Sequence, residues 1–271
     1  MAKDNRIGFI GGGNMAEAIL ASVLARGLVD VGDVLISDPL DARRTYLNNR
    51  YGVETLEQNL SVAECVDVVI LAVKPQQLND VMLDLKGRLS IDQVVLSIIA
   101  GTKINNLRIG LNHNPIIRVM PNTPALVGEG MSVWTTSDGV SEQQRMFARN
   151  ILETLGLEIF VEDEKYIDMA TALSASGPAY LFLFIEAMID AGVHIGLTRE
   201  MSQKLVVQTV LGSAVLAKET SKHPVELRNM VTSPGGTTTE AVLTLEEEGF
   251  RSAIVNAVIA AHRKAVLLGE V

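Results

Sequence analysis

A ten-residue tract rich in glycine and hydroxyl side chains is the strongest candidate for binding chemistry in this chain. Residues 232–241 read Thr-Ser-Pro-Gly-Gly-Thr-Thr-Thr-Glu-Ala and precede a helical pattern. Glycine lets a backbone turn sharply, and the first N–H groups of a helix lack internal acceptors and carry partial positive charge. Such a turn can bind a small anion such as a carboxylate. A capped turn without a ligand is the alternative interpretation.

A second glycine-rich turn lies close to the start of the chain. Gly11-x-Gly13-x-x-Ala16 follows a strand-like run and opens a helix-like segment. Gly11 permits a tight turn, Gly13 allows a pyrophosphate to approach the backbone, and Ala16 allows close helix–strand packing. The alternative is a glycine-rich loop that binds nothing. The two turns together predict a dinucleotide at one end and a small carboxylate substrate at the other.

The end of the second predicted strand carries conflicting signals about the nucleotide. Asp38 lies 22 residues after Ala16, close to where an acidic residue would bind a ribose 2′-hydroxyl. Ser37 comes first after the apolar run, however, and Arg43 and Arg44 follow within reach of a 2′-phosphate. We expect NADPH, with NADH as the alternative.

Three further strand ends carry turn residues. They are Val73-Lys74-Pro75-Gln76, Ile99-Ala100-Gly101 and Pro121-Asn122-Thr123-Pro124. Ligands of open parallel sheets bind at the carboxyl ends of the strands, so these turns should border the cofactor. The amide of Asn122, between two prolines, could bond the nicotinamide or its ribose. One such turn is unremarkable, but three on one sheet edge favour a site.

The fold class follows from the order of these elements. Strand-like runs at 7–10, 34–36, 68–73, 94–99 and 116–120 alternate with helix-length intervals, which is typical of a doubly wound α/β sheet. After about Phe160 only helical patterns remain, at 164–173, 177–195, 199–219 and 250–268. We therefore predict a Rossmann-like dinucleotide-binding domain over 1–160 and an all-helical C-terminal substrate and dimerisation domain over 161–271.

Segment 177–195 is apolar nearly all round over its first half, which predicts burial on every side. A helical domain with such wide apolar faces is expected to pack against a second copy of itself. A monomer with a tightly folded helical cap is the alternative.

Composition excludes several classes of protein. The formal net charge of −9 disfavours binding to a nucleic acid. A lone cysteine, Cys65, builds neither a disulfide framework nor a metal cluster, and we expect it to be a buried, inert thiol in a reducing cytosol. The N-terminus does not resemble a signal peptide, and the apolar run 179–185 is too short to cross a bilayer. We expect a cytoplasmic protein that binds no membrane and no metal.

The available side chains favour reduction of an activated C=N bond. Reduction of a carbonyl requires a proton donor, and the four histidines at 113, 194, 223 and 262 are each interpreted as structural. Ketoacid and 3-hydroxyacid dehydrogenases of this architecture place a catalytic lysine on the first long helix of the second domain. No lysine occurs between Lys165 and Lys204. A protonated cyclic imine needs no such donor, because it is already activated.

The chain resembles the pyrroline-5-carboxylate reductases over essentially its whole length. The motifs are Ile10-Gly11-Gly12-Gly13-Asn14-Met15-Ala16, Ala72-Val73-Lys74-Pro75-Gln76, Met120-Pro121-Asn122-Thr123-Pro124, Ser176-Gly177-Pro178-Ala179-Tyr180 and Thr232-Ser233-Pro234-Gly235-Gly236-Thr237-Thr238. Two positions depart from the family pattern. Gly12 stands where alanine is usual, and Ala175 stands where glycine is usual.

The resemblance implies a function, an assembly and a set of site residues. It implies reduction of 1-pyrroline-5-carboxylate to L-proline, an interlocked homodimer, and further assembly up to a decamer, a pentamer of dimers, with active sites shared between subunits. The cofactor-binding residues are Ile10, Gly11, Gly12, Gly13, Asn14, Met15, Ser37, Asn59, Ala72, Val73, Lys74, Pro75, Ala100, Gly101 and Asn122. The substrate-binding residues are Glu164, Ser176, Ser233, Gly236, Thr237 and Thr238. Thr238 is also the expected catalytic residue, as a hydrogen-bonding partner of the ring nitrogen.

Two other functions are the alternatives. One is a ketoacid or 3-hydroxyacid dehydrogenase of similar architecture, against which the missing lysine argues. The other is a non-catalytic NADPH-binding sensor whose helical domain presents a partner surface. Activity with the cyclic imine would distinguish both from a reductase.

Overall fold

A computed structural model describes residues 5–269, which divide into two compact units. The first unit comprises the chain up to Ser176 together with the residues from Ala261 onward, and the second comprises Gly177–Ala260. This division by contacts falls later than the domain boundary at residue 160 that we predict from the change in sequence pattern. Each unit is described by itself.

The first unit is built on an eight-stranded sheet. The strands are β1 (Ile7–Ile10), β2 (Val34–Ser37), β3 (Glu54–Leu56), β4 (Val68–Leu71), β5 (Val94–Ser97), β6 (Ile116–Met120), β7 (Gly130–Thr136) and β8 (Gly156–Phe160). Their order in the sheet is β3-β2-β1-β4-β5-β6-β7-β8. The first six are mutually parallel, whereas β7 runs antiparallel to β6 and β8 runs parallel to β7.

The order of the strands reverses between β1 and β4, which is where open α/β sheets bind their ligands. Every residue of β1, β2, β4, β5 and β6 is buried, as expected for parallel strands covered by helices on both faces. The carboxyl ends of these strands therefore stand side by side on a rigid support.

Helices of the first unit connect and cover the strands. They are α1 (Asn14–Ala25), α2 (Asp41–Tyr51), α3 (Asn59–Ala63), α4 (Leu78–Leu85), α5 (Ile104–Leu111), α6 (Glu142–Leu155) and α7 (Lys165–Ala170). A π-helical turn, Thr171–Ala175, follows α7 and leads to Ser176. Gly52 ends α2 in the left-handed conformation, with a φ of 73°, as is common after a last helical residue.

The second unit is helical throughout. It contains α8 (Gly177–His194), α9 (Arg199–Thr220), α10 (Pro224–Met230), α11 (Thr237–Glu247) and the start of α12 (Phe250–Leu268). Helices α8 and α9 pack closely where Gly192 faces Ser202, since a Cβ on Gly192 would lie 2.6 Å from the Ser202 hydroxyl oxygen. Phe184 and Phe250 also contact each other, with ring centroids 6.4 Å apart.

The fold class is confirmed, and some details differ from the sequence predictions. The sequence patterns locate β1 and β6 correctly but miss β3, β7 and β8, because these strands mix polar residues with apolar ones and have no unbroken apolar run. Cys65 is exposed rather than buried, so that expectation is wrong. It lies just beyond α3, at the surface turn that precedes β4.

Helix α8 is not buried on every side in the single chain. Only Pro178 is buried along it, and Phe182 is 63% exposed. The continuous helical stretch Lys165–His194 is also long and apolar enough to span a bilayer by length and composition, although a helix of a soluble protein can pass the same test. An exposed apolar helix of this kind requires a covering surface.

Candidate nucleotide and carboxylate sites

The glycine-rich turn after β1 is a tight bend that only glycine can form at Gly11. Its φ is +95°, and a Cβ would lie 3.0 Å from the carbonyl oxygen of Ala72 and 2.9 Å from a Val73 methyl group. The Gly11 N–H donates to the Ser37 carbonyl at 2.8 Å, and the Ala72 N–H donates to the Ile10 carbonyl at 2.9 Å. These bonds hold the ends of β1, β2 and β4 together around the turn.

Charged side chains bond both peptide groups of Gly12. The Gly12 N–H donates to the Asp38 carboxylate at 2.9 Å, and the Gly12 carbonyl accepts from the Nε of Arg43. A Cβ at Gly12 would lie 2.7 Å from a Leu47 methyl group. In this chain Leu47 fills the space that a larger residue at position 12 would need.

The N–H groups that remain for an anion belong to the start of α1. Gly13 caps the helix without a side-chain bond, and the first N–H groups of a helix have no intrahelical acceptor. A Cβ built on Gly13 meets nothing within 4 Å. Gly13, Asn14 and Met15 therefore present N–H groups beside open space, whereas those of Gly11 and Gly12 bond the protein itself. The arrangement fits a pyrophosphate group.

Glu17 connects α1 to α2 through a cluster of donors. Its carboxylate accepts from Arg43, from the Tyr46 hydroxyl at 3.0 Å and from the Tyr51 hydroxyl at 2.8 Å. Burial by itself would raise the pKa of Glu17, but the hydrogen bonds from Arg43, Tyr51 and Tyr46 outweigh it, and the pKa lies below its usual value. The ionised Glu17 holds Arg43 against the glycine-rich turn.

The end of β2 brings two predicted cofactor residues together. The Ser37 hydroxyl donates to the side-chain oxygen of Asn59 at 2.8 Å, although 22 residues separate them. Ser37 is fully buried, while Asn59, the first residue of α3, is partly exposed. The pair places an amide group at the end of β2, which is the edge where an adenosine ribose binds in Rossmann-type domains.

The turns after β4 and β5 lie on the same carboxyl-terminal edge of the sheet as the end of β2. Lys74 is exposed and directly precedes the 3₁₀ turn Pro75–Gln77. Gly101 has a φ of +75°, and a Cβ there would lie 2.6 Å from the Cβ of Leu268. The end of α12 therefore packs on the turn that carries Ala100 and Gly101, and this contact leaves no room for a side chain at 101.

Asn122 links two neighbouring segments rather than standing free. Its amide nitrogen donates to the Ser174 carbonyl at 3.2 Å, and its amide oxygen accepts from the Met131 N–H at 2.9 Å. Among residues 5–269, the other N–H of this amide has no hydrogen-bond acceptor. The loop after β6 is thus tied to the π-helical turn before Ser176, and such turns are frequent at functional sites.

A buried ion-pair network below this loop contains a residue that the sequence analysis did not identify. Arg118, fully buried in β6, donates to Glu164 at 2.8 Å and to Asp168 at 2.7 Å. The same oxygen of Glu164 accepts from the Ile104 N–H at 2.8 Å, where α5 begins. Glu164, predicted to contact the substrate, is therefore also a support for the loop between β5 and α5.

The second predicted anion site is a compact bend in the helical unit. Gly235 has a φ of +67° and Gly236 caps α11 without a side-chain bond, so the N–H groups of Thr237 and Thr238 have no intrahelical acceptor. The Thr239 hydroxyl donates to the Ser233 carbonyl at 2.6 Å and closes the bend. The hydroxyls of Ser233, Thr237 and Thr238 make no such bond within the described chain. The bend therefore presents three hydroxyls and two N–H groups.

The remaining predicted site residues divide between the units. Ser176 closes the π-helical turn by donating its N–H to the Thr171 carbonyl at 2.9 Å, and it ends the first unit. The histidines with clear partners are structural: His113 contacts the Gln93 carbonyl at 2.9 Å, and His223 caps α10. Burial lowers the pKa of His113 despite that bond. Among residues 5–269, no cluster of three or more His, Cys, Asp or Glu side chains could hold a metal ion.

Comparison with known proteins identifies the class of protein to which the chain belongs. A family model described as NADP oxidoreductase, coenzyme F420-dependent, matches residues 6–101, and a model described as pyrroline-5-carboxylate reductase dimerisation matches residues 164–268. The sheet, its glycine-rich turn and the first of these matches define an NADP-binding oxidoreductase.

Full-length relatives define the family. The pyrroline-5-carboxylate reductase of Synechocystis is 44% identical over 265 residues, which is 98% of either chain. A pyrroline-5-carboxylate reductase structure from Coxiella burnetii has a TM-score of 0.88 at 37% identity, covering 98% of this chain and 99% of that one. The Plasmodium falciparum pyrroline carboxylate reductase structure with NADP bound gives 0.90 at 32%, covering 98% of both. The chain belongs to the pyrroline-5-carboxylate reductase family.

Proposed function

We propose that this protein reduces 1-pyrroline-5-carboxylate to L-proline with NADPH, the last step of proline biosynthesis. The observation that carries this proposal is the bend at Ser233–Thr238, whose free hydroxyls and N–H groups suit a small carboxylate beside a polar ring atom. Family membership over nearly the whole chain supports the same reaction. The nucleotide belongs to the first unit, where the N–H groups of Gly13, Asn14 and Met15 receive the pyrophosphate.

The protein binds and orients the substrate. The N–H groups of Thr237 and Thr238, at the positive end of α11, receive the substrate carboxylate. The Thr238 hydroxyl forms a hydrogen bond with the ring nitrogen, and the Ser233 hydroxyl adds a bond to the carboxylate. Bound NADPH supplies the hydride. Because no acidic side chain has to activate a protonated imine, positioning accounts for most of the rate.

Nucleotide oxidation tests the reaction directly. NADPH absorbance is followed with 1-pyrroline-5-carboxylate as the acceptor, and separately with a panel of ketoacids and 3-hydroxyacids. We expect oxidation with the cyclic imine and none with the panel. Activity confined to ketoacids would indicate the dehydrogenase alternative. Binding of NADPH without oxidation by any acceptor would indicate a sensor.

The helical unit is proposed to form the homodimer. Phe182, Leu183 and Ile195 are exposed by 63%, 67% and 78% of their surfaces in the single chain, and a second copy would remove this apolar area from water. We propose assembly up to a decamer through further contacts, and a cytoplasmic enzyme without membrane or nucleic-acid partners. Sedimentation of the purified protein without detergent tests these proposals: a detergent requirement for solubility would contradict them.

A further inference from the structure

The loop between β5 and α5, residues 98–103, carries two of the expected cofactor-binding residues, Ala100 and Gly101. In Rossmann-type domains a dinucleotide lies across the point where the order of the strands reverses. With the adenosine ribose at the end of β2 and the pyrophosphate at the start of α1, the nicotinamide half extends over the ends of β4 and β5. This β5 loop therefore borders the half of the cofactor that donates the hydride.

The β5 loop is held at two points, by packing against Leu268 at Gly101 and by a hydrogen bond where α5 begins. The Ile104 N–H, the first of α5, donates to the Oε1 atom of Glu164 at 2.8 Å. Lys103, the N-cap residue, makes no capping bond with its side chain, so the Glu164 carboxylate takes the place of a capping side chain. A negative charge at this end of a helix is also favoured by the helix dipole.

Arg118 fixes the position of this carboxylate from the interior. Its Nη1 donates to the same Oε1 atom of Glu164 at 2.8 Å, and its Nη2 donates to Asp168 at 2.7 Å. The Arg118 side chain is 0% exposed and that of Glu164 is 27% exposed, so a rigidly buried group restrains a carboxylate that would otherwise be free to turn toward solvent. One oxygen of Glu164 therefore connects β6 to the start of α5.

We propose that Arg118, acting through Glu164, is a positioning residue for the nicotinamide half of the cofactor. This inference rests on the proposed reductase function. The hydrogen bonds from Arg118 to Glu164 and from Ile104 to Glu164 hold the β5 loop in one conformation before the cofactor binds. A preorganised loop loses less conformational freedom on binding, which tightens binding of the group that it borders. The adenosine and pyrophosphate groups bind through other residues, at the end of β2 and the start of α1.

Calorimetry without substrate tests the proposal by comparing NADPH with 2′-phospho-ADP-ribose, a fragment that keeps the adenosine and pyrophosphate groups but lacks the nicotinamide. In Glu164→Ala the Kd for NADPH should rise about tenfold, as for loss of one hydrogen bond to a charged group, while the Kd for the fragment changes less than about twofold. Arg118→Lys should change the ratio of the two Kd values in the same direction, because an ammonium group lacks the planar fork that reaches both carboxylates. Glu164→Gln keeps a side-chain oxygen for the Ile104 N–H and should restore most of the affinity for NADPH.

A role in stability alone predicts a different result. Glu164→Ala keeps the ion pair between Arg118 and Asp168, and urea unfolding shows that the variant is folded. The matched control, Glu162→Ala, removes the same side chain at an exposed position two residues earlier and should leave both Kd values unchanged. Equal weakening of NADPH and the fragment, or an unchanged Kd for NADPH in Glu164→Ala, would overturn the proposal.

These binding measurements contain no cyclic imine, so they are independent of catalysis. A shifted ratio in a protein that reduces no cyclic imine would retain this inference and reject the reductase function. An unshifted ratio in an active reductase would do the reverse.

Discussion

Arg118 is expected to be among the most sensitive positions for stability, because its buried guanidinium group neutralises one buried and one partly buried carboxylate. Its side chain is 0% exposed, and those of Glu164 and Asp168 are 27% and 9% exposed. Replacing Arg118 with methionine keeps most of the volume but leaves both acidic groups without their cation. Breaking a buried ion pair in this way costs about 3–5 kcal/mol. The two hydrogen bonds to charged groups, at about 1.5–3 kcal/mol each, give a similar figure.

The free energy of unfolding is measured from urea titrations followed by circular dichroism, at one fixed protein concentration because assembly contributes to stability. The control is Glu142→Gln, which removes the exposed ion pair between Glu142 and Arg145 at 4.0 Å and should change stability by less than about 0.5 kcal/mol. A loss below about 1 kcal/mol for Arg118→Met would refute the reasoning.

A second set of variants separates the ion pairs from the packing of Arg118. Combining Arg118→Met with Glu164→Gln and Asp168→Asn removes all three charges, so no uncompensated charge remains. The combined variant should recover part of the lost stability, since the three side chains interact directly and their effects are not additive. Additive losses would show that packing of the Arg118 stem, and not charge, is responsible.

Three further predictions concern the two anion sites and the Glu17 cluster. Thr238→Ala should lower kcat/KM by a factor equivalent to about 1–3 kcal/mol. The control Thr239→Ala loses the bond to the Ser233 carbonyl and should mainly lower thermal stability. An unchanged kcat/KM in Thr238→Ala would show that Thr238 does not bond the ring nitrogen. Gly11→Ala should weaken nucleotide binding and cost about 1–3 kcal/mol of stability, because its φ of +95° disfavours a side chain; calorimetry and urea unfolding measure both. The pKa of Glu17 is lower in the folded protein than its ordinary value of 4.5. The ionised carboxylate therefore stabilises the folded state above pH 4.5, and this stability is lost as the pH falls through the folded-state pKa. Glu17→Gln should flatten the acid limb of a plot of Tm against pH, and an unchanged limb would contradict this.

Local sequence pattern was sufficient to predict the class of the nucleotide-binding fold but not all of its strands. Strands β1 and β6 were located correctly because parallel strands covered on both faces are continuous apolar runs. The antiparallel strand β7 and its neighbour β8 escaped detection, because Ser132 and Glu158 interrupt their apolar character. Strand β7 exists because it pairs with β6, and β8 because it pairs with β7; both pairings are tertiary interactions.

The exposure of α8 shows a second limit of prediction from sequence pattern. Its composition correctly indicates that it needs a covering surface, and in the single chain none of its residues other than Pro178 is buried. Pattern alone cannot distinguish burial within one chain from burial between two. The expectation that Cys65 is buried was wrong because the type of a residue and its immediate neighbours do not determine its burial, and Cys65 lies in a surface turn between α3 and β4.

The sequence alone determined the glycine-rich turns, the helix starts and the buried parallel strands. Each of these features depends on the conformation of a residue's own backbone or on its immediate neighbours. The sequence did not determine the bonding partners of Asp38, Arg43 and Arg118, which only the tertiary structure shows. Asp38 bonds Gly12 across 26 positions, and Arg118 bonds carboxylates 46 and 50 positions away. Such contacts exist only once the strands align, because the folded sheet, rather than any local pattern, brings distant charges within hydrogen-bonding distance.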